Sequence, residues 1–151
     1  GQTLFPLEKY AAKIGTALKS SGLSIPEIIF EPGKYLTADA GVLLMRVEYV
    51  KRCYGNTFAC VNAGTFNTVP RPAIYTGAEH PVLNCAQVAC AEAPIITVAG
   101  NLCETGDLFA REIPMPEPKS GDILAMLVAG AYCRSMASRF NLRDIPQEML
   151  V

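Results

Sequence analysis

The sequence predicts a mainly β fold, an antiparallel β barrel or sandwich, that follows the last helix and strand of an α/β barrel. Apolar residues recur at helical spacing near the start of the chain, and from Gly41 they recur at every second position. Further apolar runs of strand length follow, separated by turn-forming residues. We therefore predict two domains, residues 1–38 from an α/β barrel and residues 39–151 as a β domain, with the boundary between Leu36 and Gly41.

The first predicted element is an amphipathic helix over Leu7–Leu18, where residues three, four and seven positions apart form one apolar stripe. Ser20–Gly22 ends this helix. The short apolar run Ile28–Phe30 is typical of a strand, and Glu31–Gly33 follows it as a turn with an ionisable group. Because sites in α/β barrels gather at the carboxyl ends of the strands, this turn is a candidate site.

The β domain begins with an alternating strand in which Leu43, Met45, Val47 and Tyr49 share one face. A Gly-Asn pair after it predicts a turn into a hairpin partner. A segment after the last strand contains neither Gly nor Pro, which favours a short helix. The remaining predicted elements are the turn at Gly55–Asn56, strands at Thr57–Val61, Ile95–Ala99 and Asp122–Val128, and a helix at Ala131–Phe140.

The composition disfavours several classes of partner. Thirteen basic and fourteen acidic residues give a net charge of −1 with no cluster of Lys and Arg, which argues against nucleic acid and acidic membranes. The longest apolar stretch, Ile123–Cys133, is about half of the roughly 20 residues that a membrane span needs. We expect a cytoplasmic protein with free thiols and no disulfide. No metal site is expected, because the single histidine and the cysteine spacing lack the ligand pairs of zinc sites.

The segment Cys103–Asp107 is the strongest candidate for chemistry. It follows the apolar run Ile95–Gly100, so a thiol and a carboxylate stand side by side at the end of a predicted strand. A thiol is largely protonated at neutral pH and can donate a proton, and a carboxylate can hold a cationic group of a substrate. We interpret Asp107 as a residue that caps the backbone of this turn, without a catalytic role.

Three further segments occur in order with strand-like stretches between them: Glu31–Lys34, Arg71–Tyr75 and Ala129–Tyr132. With Cys103–Asp107 they resemble the C-terminal part of the diaminopimelate decarboxylases, within the wider group of pyridoxal-phosphate-dependent decarboxylases. The resemblance covers about Leu7 to Val151. It implies a homodimer that converts meso-2,6-diaminopimelate to L-lysine and CO2 in lysine biosynthesis. It also implies a missing N-terminal α/β barrel with the lysine that binds the cofactor, so we expect an inactive fragment.

The resemblance assigns a role to each motif around pyridoxal 5'-phosphate, which acts as an electron sink. Cys103 would donate a proton in the neighbouring subunit's site, across the dimer interface. Glu104 would bind the distal amino group of the substrate. The full assignment is catalysis by Cys103, cofactor binding by Glu31, Gly33, Lys34 and Tyr132, and substrate binding by Lys34, Arg71, Tyr75, Glu104 and Tyr132.

Two departures from the family pattern leave alternatives open. Lys34 stands where the family usually has Arg, and lysine lacks the planar fork that grips a carboxylate at two points. The segment Asn62–Asn67 also differs from the usual family sequence. The alternatives are a related decarboxylase of another basic or carrier-linked amino acid, or a non-catalytic assembly domain. His80 and the cysteines other than Cys103, which are Cys53, Cys60, Cys85, Cys90 and Cys133, are interpreted as structural residues.

Overall fold

The computed structural model describes residues 5–25, 27–89 and 91–151. The chain divides into two compact units, Gly1–Glu31 and Pro32–Val151. This division falls between Glu31 and Pro32, and the assignment of residues 1–38 to the end of an α/β barrel stays a prediction. In the part of the chain that the structure describes, no helix is long and apolar enough to cross a membrane.

The first unit contains helix α1, Leu7–Ser21, as its periodicity predicts. Gly22 ends the helix with a φ of 67°, the left-handed conformation that glycine adopts without steric cost. Tyr10 makes edge contacts with the rings of Phe5 and Phe30. The predicted strand at Ile28–Phe30 is wrong, since these residues belong to no strand. A strand needs a hydrogen-bonded neighbour, and none of the described strands pairs with this segment.

The second unit is a nearly closed six-stranded barrel, which confirms the predicted fold class. The strand order is β3-β6-β1-β2-β4-β5, and every neighbouring pair is antiparallel except β2 and β4, which are parallel. Short helices precede β1 and β3. The elements are α2 Gly33–Thr37, β1 Leu43–Cys53, β2 Asn56–Val61, α3 Arg71–Ile74, β3 Val82–Asn84, β4 Ile95–Ala99, β5 Leu108–Pro114 and β6 Ile123–Met126.

The first strand confirms its predicted alternation only as far as Val47. Met45 and Val47 are almost completely buried, whereas Tyr49 is 57% exposed, so its predicted place on the core face is wrong. The pairing of β1 with β2 shifts by one residue between Val47 and Tyr49. Because side chains alternate along a strand, such a bulge moves the residues after it to the opposite face.

The core of the second unit draws on all six strands, with Val47, Val61, Val82, Val98 and Phe109 among its members. Together these strands bury one continuous apolar interior, which fixes the ends of the strands and the loops that leave them. The loops described below therefore start from a rigid frame.

The predicted helix at Ala131–Phe140 is wrong. Two single 3₁₀ turns form instead, at Arg134–Met136 and Phe140–Leu142. Tyr132 and Asn141 have φ values of 54° and 57°, and Ala137 is extended, so no continuous helix can pass through this segment.

Candidate functional site: a thiol turn and a cationic cleft

The Cys103 turn, residues 100–107, connects the antiparallel strands β4 and β5. Cys103 and Glu104 are both exposed at its tip. One oxygen of the Glu104 carboxylate accepts hydrogen bonds of 3.2 Å from the backbone N–H of Gly106 and the hydroxyl of Thr105. The other oxygen has no hydrogen bond to the described residues. The turn therefore presents a thiol and a carboxylate, side by side, to the surroundings.

The base of this turn is closed by Asp107, whose side chain is buried. Its carboxylate accepts hydrogen bonds from the backbone N–H groups of Thr65 and Leu102 and from the Thr65 hydroxyl. The interpretation of Asp107 as a backbone-capping residue is confirmed by these contacts. The sequence did not predict its partner Thr65, which is 42 positions away.

A second polar region, which we call the cationic cleft, has a volume of about 120 Å³. Lys34 reaches it from α2, and Arg71 reaches it from the first position of α3. Within the described ranges, neither cation has an acidic side chain at ion-pair distance. Glu79 also lines the cleft, so two cations face one carboxylate, and the net positive charge favours an anionic ligand. The residues that line the cleft are Lys34, Arg71, Gly77, Ala78, Glu79, His80, Val128 and Ala131.

The cleft is held together by close backbone contact between two glycines. The N–H of Gly130 donates to the carbonyl of Ala38 at 2.9 Å, and the N–H of Ala129 donates to the carbonyl of Gly41 at 2.8 Å. A Cβ added at Gly130 would overlap the carbonyl oxygen of Thr37, and one added at Gly41 would lie 2.5 Å from the Gly130 Cα. Only glycine permits this approach. The contact places the loop with Ala131 beside the segment that follows Lys34.

His80 lies at the wall of the cationic cleft and is only 9% exposed. Its Nδ1 donates to the carbonyl oxygen of Leu127 at 3.2 Å, which places the proton of the neutral ring on that nitrogen. Burial lowers the pKa of His80, and the nearby charges of Arg71 and Lys34 lower it further, against the raising effect of its backbone hydrogen bonds. The neutral imidazole thus adds no charge to the cleft and braces the strand end that leads to Val128.

The two predicted tyrosines lie near the cleft without lining it. The guanidinium carbon of Arg71 is 5.4 Å from the centre of the Tyr75 ring, a cation–π contact that orients the Arg71 side chain. Tyr132 follows the cleft residue Ala131, is half exposed, and has a φ of 54°. Such backbone strain in a non-glycine residue concentrates at functional positions.

The other residues of the Glu31–Lys34 motif are exposed. Glu31 is the last residue of the first unit. Gly33 begins α2, so a short helix forms where the sequence predicted only a turn.

The remaining cysteines differ in environment. Cys133 is buried, and Cys53 and Cys60 are partly buried, whereas Cys85 is exposed. Cys90 lies outside the described residues. Burial raises the pKa of Cys133, although the charges of Arg71 and Lys34 oppose this effect. No group of three potential ligands for a metal ion occurs among the residues with described positions.

The structure therefore brings Lys34 and Arg71 together and keeps Cys103 and Glu104 apart from them in a separate turn. Neither the cationic cleft nor a larger cleft of about 440 Å³ is lined by Cys103 or Glu104. The larger cleft runs along Asn62–Thr68 and the C-terminal segment, and Asn101 at the start of the Cys103 turn also lines it. His80 was interpreted from the sequence as a structural residue, and its place in the cleft was not predicted. A histidine between Gly77 and the strand that begins at Val82 was the only available signal.

The fold and the two polar regions define a β-barrel domain that presents a cationic cleft and a thiol-carboxylate turn. Residues 27–130 match the family described as pyridoxal-dependent decarboxylase, C-terminal sheet domain, and the chain belongs to this family.

Named relatives agree with this assignment. The diaminopimelate decarboxylase of Methanothermobacter thermautotrophicus is 44% identical over 149 residues, which cover 96% of this chain and 34% of that protein. The diaminopimelate decarboxylase of Bacillus subtilis is 36% identical and is covered to 33%, with 95% of this chain aligned. The crystal structure of the Helicobacter pylori diaminopimelate decarboxylase complexed with L-lysine matches with a TM-score of 0.76 at 34% identity, over 93% of this chain and 33% of that chain. The chain thus spans about a third of the length of these relatives.

Proposed function

We propose that this chain is the C-terminal part of a pyridoxal-phosphate-dependent diaminopimelate decarboxylase, which converts meso-2,6-diaminopimelate to L-lysine and CO2 in the last step of lysine biosynthesis. The observation that carries this proposal is the cationic cleft, where Lys34 and Arg71 face a common space and neither forms an ion pair among the described residues. The named relatives support it, because each is a diaminopimelate decarboxylase and one was crystallised with L-lysine.

The cofactor assignment agrees with the chemistry of the cleft. A phosphate is a compact dianion, and a cleft of about 120 Å³ with two cations suits a group of that size. Lys34 would bind the phosphate through its ammonium. Gly33, next to Lys34 in sequence, and Tyr132, next to the cleft residue Ala131, would help to bind the same cofactor. When bound, pyridoxal phosphate supplies an electron sink for the loss of CO2. The role of Glu31 stays a prediction from the family resemblance.

The substrate assignment follows from charge. Diaminopimelate carries a carboxylate and an ammonium at each end. Arg71, whose guanidinium is oriented by the Tyr75 ring, would grip one carboxylate at two points, and Lys34 would add a second cation. The exposed carboxylate of Glu104 would bind the distal ammonium of diaminopimelate. A substrate without a distal ammonium could not make this contact.

The separation of the two regions supports a homodimer with shared active sites. Cys103 lies at the exposed tip of a turn that lines neither cleft, so its thiol is available to a site on another copy of the chain. There it would donate a proton to the substrate carbon that loses CO2. This role needs a free thiol, which a reducing compartment such as the cytoplasm maintains.

The proposal is tested with the full-length protein, pyridoxal phosphate and meso-diaminopimelate, by measuring CO2 and L-lysine. Cys103→Ala is expected to lower kcat by about 100-fold to 10,000-fold, the usual contribution of a general acid. Cys85→Ala is the matched control, because Cys85 is also exposed and lines neither cleft. Its kcat is expected to equal that of the wild type.

The negative results separate the alternatives. Turnover of ornithine or lysine without turnover of diaminopimelate would replace the substrate assignment with another basic amino acid, as Lys34 and the Asn62–Asn67 segment suggest. Failure of the full-length protein to bind pyridoxal phosphate would favour a non-catalytic assembly domain.

A further inference from the structure

We propose that Asp107 is the positioning residue of the Cys103 turn: its buried carboxylate fixes the direction in which Cys103 and Glu104 leave the β domain. The inference rests on the proposed function, because it assigns Asp107 a role in a reaction that Cys103 and Glu104 carry out. Asp107 itself touches neither substrate nor cofactor in this proposal.

The contacts of the Asp107 side chain join two separate segments of the chain. Oδ1 accepts hydrogen bonds from the backbone N–H of Thr65 at 2.7 Å and from the Thr65 hydroxyl at 2.8 Å. Oδ2 accepts one from the backbone N–H of Leu102 at 2.7 Å. Asp107 is 3% exposed, so water does not compete for these bonds. One side chain thus ties the residue before Cys103 to the body of the barrel.

The backbone of Asp107 closes the same turn from its other end. Its N–H donates to the carbonyl of Glu104 at 3.1 Å, and its carbonyl accepts from the N–H of Gly100 at 2.8 Å. A Cβ at Gly100 would overlap the Asp107 carboxylate, so this position requires glycine. Cys103 and Glu104 therefore lie in a short loop whose two ends meet at a single residue.

A carboxylate is the group that suits this arrangement. Both oxygens accept, and together they satisfy three donors, whereas an amide offers one oxygen and would direct its NH₂ at a further donor. Within the described part of the chain no cation lies at ion-pair distance from Asp107. A buried charge held only by hydrogen bonds is costly unless all of them form, so the geometry around it is tightly specified.

The anchor on the far side of Asp107 is itself fixed. Thr65 begins the 3₁₀ turn Thr65–Asn67, and the buried Asn67 side chain donates to the carbonyls of Ser138 and Phe140 at 2.9 and 3.1 Å. The Cys103 turn is thereby connected through Thr65–Asn67 to the C-terminal segment at Ser138 and Phe140.

The test uses Asp107→Asn in the full-length protein with pyridoxal phosphate bound. Hydrogen–deuterium exchange of the backbone amides at Leu102 and Thr65 is expected to accelerate at least tenfold. In the variant each amide has either no acceptor or a weaker acceptor than the carboxylate. We expect kcat to fall by about 10-fold to 100-fold, since small displacements of a reacting group have effects of that size. Asp122→Asn is the matched control, because Asp122 accepts from the Lys119 N–H and the Asn84 side chain, away from this turn. It is expected to leave kcat and these two exchange rates unchanged.

A double-variant measurement separates positioning from general stability. If Asp107 acts through Cys103 and Glu104, then Asp107→Asn adds little to the loss of kcat in a Cys103→Ala, Glu104→Ala background. An undiminished further loss in that background would overturn the proposal, as would a kcat of Asp107→Asn equal to that of the wild type.

A milder variant keeps the test decisive if Asp107→Asn does not fold. Thr65→Val removes the hydroxyl donor and retains the backbone N–H, so a fall in kcat that disappears in the double-variant background supports positioning. An unchanged kcat overturns it. If the wild type fails to decarboxylate diaminopimelate, the proposed function fails, and the exchange rates at Leu102 and Thr65 still decide whether Asp107 fixes the turn.

Discussion

The Cys103 turn is closed by one buried residue, whereas the cationic cleft is assembled from three segments held by backbone contact. In the turn, the Asp107 carboxylate accepts hydrogen bonds from Thr65 and Leu102. In the cleft, the Gly130 backbone bonds to the segment that follows Lys34, and Arg71 comes from a third segment, α3. The turn therefore depends on one buried side chain and presents reactive groups at the surface, whereas the cleft depends on backbone contacts and brings two cations together.

The thiols of the two regions make the same distinction. Cys103 is exposed at the tip of its turn. Cys133 lies one residue after Tyr132, donates its S–H to the carbonyl of Ala131 at 3.3 Å, and has its pKa raised by burial. Since the thiolate is the nucleophilic form of cysteine, Cys133 is an unreactive packing residue next to the cleft. Of these two regions, the Cys103 turn and not the cleft supplies an exposed thiol.

The largest expected effect comes from mixing two inactive variants, which tests whether the two regions serve different copies of the chain. Cys103→Ala and Arg71→Ala are each expected to lose at least 99% of activity. When both chains are coexpressed, half of the dimers are mixed, and each mixed dimer has one site with an intact cleft and an intact thiol. Activity is therefore expected to return to about a quarter of the wild-type value.

The hypothesis that the two regions of one chain serve different active sites is wrong if the mixture stays as inactive as its components. That result would mean that Cys103 and Arg71 of the same chain serve the same site. A mixture of Cys103→Ala with wild type of equal total concentration controls for effects of expression and assembly.

A smaller effect is expected from Gly130→Ala, which tests whether the cleft depends on backbone contact. The new Cβ overlaps the carbonyl of Thr37, and nothing but backbone can move away. We expect unfolding free energy to fall by about 1–3 kcal/mol and the dissociation constant of pyridoxal phosphate to rise at least tenfold. Urea unfolding and a cofactor titration measure both quantities.

Gly106→Ala in the Cys103 turn is the matched control for that variant. A Cβ there meets only the Glu104 side chain, at 3.8 Å, so stability is expected to change little. Equal losses in the two variants would contradict the proposed difference between the regions.

The fold could be predicted wherever the pattern is local. Periodicity or long apolar runs predict helix α1 and strands β1, β2, β4 and β6. Strand β3 has three residues, too few for a periodic signal. The bulge that exposes Tyr49 depends on the register with β2, and the failed helix after Ala131 depends on left-handed residues, neither of which periodicity reveals.

The site could be predicted in its parts but not in its assembly. The motifs identified Lys34 and Arg71 as binding candidates, and the structure brings both to one cleft. Their meeting depends on the packing of Gly130 against Gly41, and two distant glycines give no sequence signal of contact. For the same reason the sequence assigned Asp107 to its own turn but did not indicate Thr65.

The pH dependence of stability distinguishes the regions further, since His80 belongs only to the cleft. The pKa of His80 is lowered from 6.5 in the folded state. Below that value the unfolded chain binds a proton that the folded chain resists, so the imidazole makes stability fall as pH falls, until the folded-state pKa is passed. His80→Gln keeps a side-chain donor near Leu127 and removes the titration.

Urea unfolding at pH 7.5, 6.5 and 5.5 is expected to show a shallower loss of stability for His80→Gln than for the wild type. This chain has one histidine, so the difference in slope reports His80 alone. Parallel slopes for the two proteins would show that the buried imidazole is not resisting protonation, and would remove it as a feature that distinguishes the cleft from the turn.

The smallest expected effect is that of Lys34→Arg, which sharpens the division of work within the cleft. Lysine offers a point charge, and arginine offers a planar fork that can bind a carboxylate at two points. If Lys34 contacts both the cofactor phosphate and a substrate carboxylate, the variant should lower KM for diaminopimelate by about threefold and leave kcat unchanged, since one improved hydrogen bond is worth at most about 1 kcal/mol.

Arg46→Lys on β1, where Arg46 pairs with Glu48 at the surface, is the control and should change neither constant. An unchanged KM with tighter binding of pyridoxal phosphate would assign Lys34 to the cofactor alone, and Arg71 would then be the side chain in this cleft that selects the substrate carboxylate.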